Sequence, residues 1–347
     1  MLKTAVALSG GADSLMTLLL LRETGAAVMG VHALFHGADD NLPEKLRGLC
    51  EGLGAPFAVI DLRREFEESV VAPFVRAYQR GLTPNPCAAC NPSIKFGLLL
   101  DRVRELGADH LATGHYARLE AAGDGPALFR GLDQSKDQSY FLSMVPRERF
   151  ESVVFPLGGW TKADVRKALE DRGLTPPAGR ESQEVCFIPS DYRDFLRARK
   201  VRLGGPGPIT LADGTVLGRH FGLWQHTLGQ RKGLGIAYSE PLYVTGKDFA
   251  KNALIVGPKS AALSRGCRTD APNLLCPPEH WPGEVLVQTI YRQRPEPAKV
   301  ELDAQGMTIT FPGPRAIPAP GQVAAVYSPQ GQVLAGGVIR EGGSHAA

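Results

Sequence analysis

The sequence has little of what marks secreted, membrane-spanning or disordered proteins. Its 347 residues include six cysteines, too few for a disulfide scaffold at this length. The leucine run Leu18–Leu21 is far too short to cross a bilayer, and Asp13 interrupts the apolar stretch before it. With 43% hydrophobic and 22% charged residues, the composition excludes disorder. We therefore expect a cytoplasmic globular protein of two or three domains, with no membrane association.

An excess of one charge is also missing. The chain has 39 basic and 36 acidic residues, so its formal net charge is +3. This balance permits a nucleic-acid partner without demanding one. A nucleic-acid site must therefore be inferred from local residues.

The first half of the chain alternates strand-like and helix-like segments. The predicted strands are Thr4–Leu8, Ala27–Phe35, Phe57–Leu62 and His110–Thr113. The predicted amphipathic helices are Pro43–Leu53, Arg64–Gln79, Ser93–Leu106 and Lys162–Arg172. This alternation predicts a Rossmann-like α/β domain with a parallel sheet.

The amino-acid composition changes near Val201, where the segment "VRLGGPGPITLADGTVLGRH" is rich in glycine and proline. Asp213 and Gly214 are a hairpin signal in this segment. Later short runs predict antiparallel strands: Leu254–Val256, Glu284–Ile290, Met307–Phe311 and Gln322–Tyr327. We therefore predict an α/β domain over 1–202, a small β domain over 203–270 and a barrel-like β domain over 271–347.

The stretch "AVALSGGADSLMTLLLL" joins the first strand to the first helix through a bare turn. Gly10 and Gly11 remove the Cβ atoms that would keep a ligand from the backbone, and Asp13 or Ser14 is positioned to cap the helix. A helix start of this kind favours a bound anion, although a tight turn without a ligand is the alternative. The stretch has neither the G-x-x-x-x-G-K-[ST] nor the G-x-G-x-x-G spacing, so it carries no lysine for a γ-phosphate.

The same stretch resembles the S-G-G-x-D-S pyrophosphate loop of adenylating ATPases, which split ATP between its α and β phosphates. The resemblance implies that Gly10, Gly11 and Ser14 hold the pyrophosphate. It also implies that Asp13 helps to place Mg²⁺ against the phosphate oxygens. Such enzymes activate a carbonyl or carboxyl oxygen as an adenylate.

Two cysteine segments carry further chemistry. In "GLTPNPCAACNPSIKFG", Cys87 and Cys90 precede a predicted helix, whose N–H groups are expected to lower a thiol pKa. Half a zinc site, buried small residues and a redox pair are the other interpretations of this C-x-x-C. Cys186 lies in an apolar, strand-like run, "RESQEVCFIPSDYRDF", where a packing role is the alternative to catalysis. We expect Cys50, Cys267 and Cys276 to be packing residues.

Six ordered blocks make a specific resemblance. They are "ALSGGADS", "TPNPCAACNPSIKFG", "LATGHYARL", "KDQSYFLS", "SQEVCFI" and "HTLGQRKGLGI", spanning residues 7–236. Their order and spacing resemble those of the tRNA-specific 2-thiouridylase family. The resemblance implies ATP-dependent replacement of O2 by sulfur on the wobble uridine of tRNA, through an O2-adenylate and a persulfide relay.

The resemblance also implies roles for individual positions. The implied ATP-binding residues are Ala7, Leu8, Ser9, Gly10, Gly11, Ala12, Asp13, Ser14, His36 and Gly114. The implied tRNA contacts are Asn85, Pro86, Cys87, Lys136, Asp137, Gln138, Tyr291 and Arg292, the first three at the target base. Cys90 falls on the nucleophile or resolving position and Cys186 on the persulfide carrier. A cysteine desulfurase, a sulfur-relay protein or free sulfide is the implied sulfur source.

One departure from the family pattern leaves the sulfur route open. Cys87 stands where the family usually has aspartate. Cys87, Cys90 and Cys186 then resemble the three-thiolate set with which other tRNA-thiolating adenylases hold a [4Fe–4S] cluster, so a cluster route is as well supported as a persulfide route. An amidating adenylase and a noncatalytic tRNA-binding module are the rival functions.

Overall fold

The computed structural model describes residues 2–37, 41–123, 125–178 and 185–342. The strands are β1 (Lys3–Ala7), β2 (Ala27–Leu34), β3 (Phe57–Asp61), β4 (His110–Ala112), β5 (Ala117–Ala122), β6 (Gly125–Arg130), β7 (Val153–Val154), β8 (Gly207–Thr210), β9 (Val216–His220), β10 (Tyr243–Asp248), β11 (Ala253–Gly257), β12 (Leu263–Thr269), β13 (Asn273–Leu274), β14 (Val285–Gln288), β15 (Glu296–Asp303), β16 (Gly306–Ala316), β17 (Val323–Tyr327) and β18 (Val333–Gly342).

The α-helices are α1 (Ala12–Glu23), α2 (Leu42–Gly52), α3 (Arg63–Phe66), α4 (Ala72–Gln79), α5 (Pro86–Cys90), α6 (Leu100–Glu105), α7 (Ser139–Leu142), α8 (Lys162–Asp171) and α9 (Tyr192–Ala198). Two π-helical segments join neighbouring helices: Glu67–Val71 lies between α3 and α4, and Asn91–Leu99 lies between α5 and α6. The 3₁₀ turns are Arg147–Ser152, Leu223–Gln225, Lys259–Ala262 and Pro278–His280. Across the described residues, no helix combines the length and apolar character needed to span a membrane.

Five parallel strands form the first sheet, in the order β3-β2-β1-β4-β7. Ala5 and Val6 of β1 are completely buried and belong to different hydrophobic clusters, because successive strand residues point to opposite faces. Helices cover both faces: Leu18 and Leu46 pack with Val6, whereas Ile94 packs in the cluster of Ala5. The predicted parallel α/β fold is thereby confirmed.

Two β units follow the α/β unit. One is a four-stranded sheet in the order β10-β11-β8-β9, in which β11 and β8 are parallel and the other pairs are antiparallel. The other is a seven-stranded antiparallel sheet in the order β12-β16-β15-β14-β17-β18-β13. An additional β12–β18 pairing closes six of these strands into a barrel around Met307, Ile309 and Phe311.

Three sequence expectations need correction at the level of elements. The helix predicted over Ser93–Leu106 begins earlier, at Pro86, so both Cys87 and Cys90 lie inside helix α5. The apolar run around Cys186 forms a turn rather than a strand, closed by a hydrogen bond from the Ile188 N–H to the Val185 carbonyl at 3.0 Å. Strand β12 is hydrogen-bonded into the barrel, whereas the predicted division places it in the 203–270 domain.

Candidate functional site

The loop between β1 and α1 lies at the carboxyl edge of the parallel sheet, and its Gly10 and Gly11 leave the backbone there without side chains. Gly10 has φ +82°, a conformation that favours glycine. A Cβ at Gly10 would lie 2.8 Å from Leu42 Cδ1 and 3.0 Å from Ala178 Cβ. The Ala178 N–H also donates to the Gly10 carbonyl at 2.9 Å. The loop is therefore held closely from outside, and only glycine fits at position 10.

Ser14 organises the inside of this loop. Its Oγ accepts from the Ser9 N–H at 3.2 Å and donates to the Gly11 carbonyl at 2.9 Å. The N-cap of α1 is Gly11, and no side chain caps the helix, so the prediction that Asp13 or Ser14 caps it is wrong. The first turn of a helix leaves N–H groups without intrahelical acceptors, and the helix dipole favours negative charge there. The loop thus has the geometry of an anion site.

Asp13, in the first turn of α1, is a half-buried carboxylate that contacts two buried polar side chains. Lys162 Nζ lies 2.7 and 2.9 Å from its two carboxylate oxygens, and the Tyr116 hydroxyl donates to Oδ1 at 2.7 Å. A Cβ at Gly114 would lie 2.8 Å from Asp13 Cβ, so this glycine allows the loop after β4 to touch α1. Both Asp13 oxygens are therefore engaged by a cation of the protein itself.

The described parts of the chain contain no assembled site for a single metal ion. Within them, no three His, Cys, Asp or Glu side chains are arranged to hold a metal ion. Asp13 is paired with Lys162 rather than turned towards an open cation site. The arrangement favours Mg²⁺ as a component of the MgATP substrate over an ion held by the protein.

Cys87 and Cys90 are one helical turn apart in α5. Asn85 caps this helix, its Oδ1 accepting from the Ala88 N–H at 3.2 Å, and Pro86 occupies the first turn. Cys90 is buried and Cys87 is half-buried. The π-helical segment that follows carries Lys95. Such segments occur frequently at functional sites.

Cys186 comes to the same region from a distant part of the chain. Its thiol interacts electrostatically with Cys87 and Lys95, and Cys90 interacts with all three groups. The adjacent Phe187 is buried against Phe74, with ring centroids 5.3 Å apart, whereas Cys186 itself is exposed. The structure thus brings together the three cysteines singled out in the sequence. The Ser-Gln-Glu part of the "SQEVCFI" block lies outside the described residues.

The thiol pKa values differ from the expectation for a helix start. Burial raises the pKa of Cys90 to about 12 and also raises the pKa values of Cys87 and Cys186. The positive charge of Lys95 acts in the opposite direction on all three thiols. The prediction that the helix lowers the thiol pKa values is therefore wrong, because desolvation outweighs it.

Lys95 also connects the cysteines with the loop between β1 and α1. Its Nζ lies 3.4 Å from His115 Nε2, and His115 Nδ1 lies 2.7 Å from Thr113 Oγ1. Burial, with a smaller effect of Lys95, holds the pKa of His115 well below its usual value. The neutral imidazole can therefore accept from the Lys95 ammonium. The residues on either side of His115, Gly114 and Tyr116, are the ones that touch Asp13.

The positions expected to contact tRNA differ in exposure. Asp137 is buried and accepts hydrogen bonds from Arg130 Nε at 2.7 Å and the Gly131 N–H at 3.1 Å, so its carboxylate has a structural role. Gln138 Oε1 accepts from the Tyr116 N–H at 3.1 Å, and Lys136 beside it is half-buried. Tyr291 and Arg292 lie before β15 in the sequence, but Tyr291 reaches the same region by packing on Phe141, whose N–H donates to the Gln138 carbonyl at 3.0 Å.

At this second segment, the Arg292 guanidinium is 5.4 Å from the Tyr291 ring centre, and Tyr291 packs on Phe141 with ring centroids 4.3 Å apart. His36 is exposed beyond the carboxyl end of β2, and its Nδ1 lies 3.2 Å from the Gly37 carbonyl. Both segments therefore present rings near the surface.

Three polar residues of the site were not identified from the sequence. Lys162 lay in a predicted helix with no sign of its direction, and Lys95 lay inside a quoted block without an assigned role. Tyr116 stands inside the block "LATGHYARL" without an assigned role, yet its hydroxyl contacts Asp13. The one available signal is that Lys95 and Tyr116 stand inside motif blocks, and Lys162 has no such signal.

Family models match the chain from end to end. Residues 2–190 match a tRNA methyl transferase HUP domain, 193–258 a tRNA methyl transferase PRC-barrel domain, and 264–339 an aminomethyltransferase beta-barrel domain. Curated relatives that carry the name tRNA-specific 2-thiouridylase MnmA include those of three organisms. That of Nitratidesulfovibrio vulgaris is 54% identical and aligns with 97% of this chain and 99% of its own. That of Lawsonia intracellularis is 44% identical and aligns with 97% of this chain and 99% of its own. That of Chloroflexus aurantiacus is 43% identical and aligns with 98% of each chain.

Proposed function

The chain belongs to the tRNA-specific 2-thiouridylase family, and on that premise we propose that it uses ATP to replace O2 of the wobble uridine of tRNA by sulfur. It is a tRNA-uridine 2-sulfurtransferase, an enzyme of the transferase class. Residues 1–202 would carry the adenylation and sulfur transfer, and the units assigned to 203–270 and 271–347 would help to grip tRNA.

One observation carries the proposal. The segment Thr113–Tyr116 touches both halves of the chemistry: Gly114 and Tyr116 contact Asp13 of the nucleotide loop, and His115 contacts Lys95. Lys95 in turn interacts with all three cysteines. An activated base held at this segment would therefore have an anion site on one side and thiols on the other.

The first step is adenylation of the target uridine. ATP supplies the adenylyl group and Mg²⁺ comes with it as part of the substrate. The uridine O2 attacks the α-phosphorus, the bond from that phosphorus to the bridging oxygen breaks, and its electron pair leaves with pyrophosphate. The backbone N–H groups at the start of α1, beside Gly10 and Gly11, would hold the departing pyrophosphate. His36 and Gly114 complete the proposed ATP site.

The second step is sulfur transfer. We propose that the exposed Cys186 thiolate attacks the outer sulfur of a persulfide on a donor protein, so that Cys186 gains that sulfur and the donor cysteine leaves as a thiolate. The Cys90 thiolate attacks the Cys186 Sγ, a disulfide forms, and hydrosulfide is released. Hydrosulfide adds at C2 of the adenylated uridine, and AMP leaves with the O2 oxygen. A reductant must then reopen the disulfide before the next turnover.

The electrostatics of the site suit this order of events. Burial raises the pKa of Cys90 and so keeps the free thiol protonated at neutral pH, while Lys95 favours the thiolate once the proton is removed. A protected thiol limits side reactions before the persulfide arrives. We assign the steps to the persulfide route because it needs only the thiols of Cys90 and Cys186, which interact with each other, and iron analysis tests the cluster route.

Removal of single cysteines tests the proposal. We expect Cys186→Ala and Cys90→Ala to lose 2-thiouridine formation by at least about 10³-fold while tRNA-dependent AMP or pyrophosphate release continues. Cys276→Ser is the matched control, because Cys276 belongs to the barrel cluster and should leave activity unchanged. Nucleoside analysis of the tRNA gives the product. Full activity of Cys186→Ala would remove the proposed sulfur site.

Two further results distinguish the rivals. Release of AMP only with a small-molecule amine donor would indicate an amidating adenylase, and no AMP release with tRNA would indicate a binding module. Anaerobic iron analysis addresses the cluster route. About four irons per chain, lost in Cys87→Ala, Cys90→Ala or Cys186→Ala, would replace the persulfide route by the cluster route.

A further inference from the structure

The nucleotide loop has no lysine of its own, but the fold supplies one from a distant helix. Lys162 is the first residue of α8, 149 positions after Asp13, and its side chain is only 8% exposed. Its Nζ forms an ion pair with Asp13, whose side chain remains 33% exposed. A buried ammonium therefore lies beside the first turn of α1, where the anion site is.

The position of Lys162 is fixed by two kinds of contact. Thr161 and Asp164 form a capping box at the start of α8, and the Lys162 N–H donates to Asp133 Oδ2 at 3.0 Å. Helix α8 also packs on α1, since Val165 belongs to the same hydrophobic cluster as Leu15. A rigidly held charge is what electrostatic stabilisation of a transition state requires.

We propose that Lys162 is the cation that stabilises the pyrophosphate leaving group, and that Asp13 holds it in place before ATP binds. This inference rests on the proposed adenylation. As the bond between the α-phosphorus and the bridging oxygen breaks, negative charge grows on the departing pyrophosphate. The Lys162 ammonium keeps its proton and shifts its contact from Asp13 towards that oxygen. A charge held in place in this way replaces the lysine that phosphate-binding loops of the G-x-x-x-x-G-K-[ST] type carry in sequence.

The test uses a variant that removes the charge but can still hydrogen-bond to Asp13. We expect Lys162→Gln to lower the maximal rate of tRNA-dependent pyrophosphate release by about 10²-fold or more, with a smaller change in the KM for ATP. Lys162→Arg should recover part of the loss. Lys167→Met is the control on the same helix, since Lys167 pairs only at the surface with Asp171 at 3.0 Å and is 74% exposed.

A second measurement separates leaving-group stabilisation from mere support of Asp13. The β,γ-difluoromethylene analogue of ATP has a less basic leaving group than the β,γ-methylene analogue. If Lys162 stabilises the leaving group, the rate ratio of these two substrates will be several-fold larger in Lys162→Gln than in the wild type, and unchanged in Lys167→Met. Thermal unfolding confirms that each variant is folded.

The outcomes are distinct. A Lys162→Gln rate within about threefold of the wild type overturns the inference, and so does a slow variant with an unchanged analogue ratio, which would leave Lys162 only a support for Asp13. Wild-type protein that releases no pyrophosphate with tRNA contradicts the proposed adenylation itself. The analogue ratio is therefore informative only for the role of Lys162, whereas the wild-type assay tests the reaction.

Discussion

At the scale of single residues, the site combines thiols that burial keeps protonated with one nearby positive charge. Burial raises the pKa values of Cys87, Cys90 and Cys186, and the Lys95 ammonium opposes each increase. The ammonium is itself oriented by the neutral imidazole of His115 at 3.4 Å. Reactivity of the thiols should therefore depend on Lys95 and on pH.

Loss of the Lys95 charge should make the cysteines less reactive. In Lys95→Met the thiolate loses its stabilising charge, so the thiol pKa values rise and the pH profile of iodoacetamide alkylation at Cys186 moves to higher pH. At pH 8 we expect alkylation to be slower by about threefold to tenfold. Lys95→Arg keeps the charge and serves as the matched control. Identical profiles in all three proteins would show that Lys95 does not act on the thiols.

The sequence predicts the cysteines of this site better than it predicts their partners. Cys87 and Cys90 are visible because a three-residue spacing before a helix is a recognisable pattern. The contacts of Asp13 with Tyr116 and Lys162 join positions 103 and 149 residues apart, and no local pattern encodes them. The expected lowering of the thiol pKa values was wrong because burial is a property of the packed molecule.

At the scale of elements, the turn from β1 to α1 depends on both the conformation and the empty space at Gly10. Its φ of +82° would strain any other residue, and Leu42 and Ala178 leave no room for a side chain. Gly25, after α1, has a similar φ of +76°, but a Cβ there would meet nothing within 4 Å. A comparison of Gly10 with Gly25 therefore distinguishes the effect of backbone strain, which both share, from the effect of a steric clash, which only Gly10 has.

Alanine at these two glycines should therefore have unequal effects. Each substitution introduces left-handed strain worth about 1 kcal/mol, which lowers the free energy of unfolding. Gly10→Ala must also displace Leu42 or Ala178, so we expect it to destabilise the protein further and to weaken ATP binding at least about tenfold. Gly25→Ala should bind ATP as the wild type does. Calorimetric titration and urea unfolding measure both effects, and equal ATP affinities would contradict the close fit at Gly10.

Elements with a distinct apolar run or period were predicted to within a few residues, whereas elements without one were missed. The helix predicted over Lys162–Arg172 ends one residue earlier, and the strand predicted over Ala27–Phe35 ends at Leu34, because apolar periodicity persists over their length. Strand β7 has two residues and shows no periodicity. The early start of α5 depends on Asn85 as N-cap and on Pro86 in the first turn, and both residues are a helix-start signal in the sequence.

At the scale of the whole molecule, both β units hold the loop that leads into α5. Lys247 of β10 donates to the Gly81 carbonyl at 2.7 Å, and the Thr83 N–H donates to the Pro320 carbonyl at 3.0 Å. Gln322 Nε2 donates to the Thr83 carbonyl at 2.9 Å. The loop before the cysteines is thus fixed by parts of the chain that lie more than a hundred residues later. Sequence patterns within one unit could not predict this arrangement.

The Lys247 contact predicts a pH dependence of stability. Burial lowers the pKa of Lys247 to about 8, whereas the unfolded chain has a lysine pKa of about 10.4. Between these values the unfolded state binds more protons, so the contribution of Lys247 to stability rises as pH increases from about 8 to about 10.4. We expect the melting temperature of the wild type, relative to that of Lys247→Met, to increase from pH 7 to pH 9.5.

Lys251→Met is the control, because Lys251 is 82% exposed and should follow the wild type. A constant difference between wild type and Lys247→Met would mean that the Lys247 side chain is not desolvated against the Gly81 loop, and that the β10 contact does not fix the approach to the cysteines.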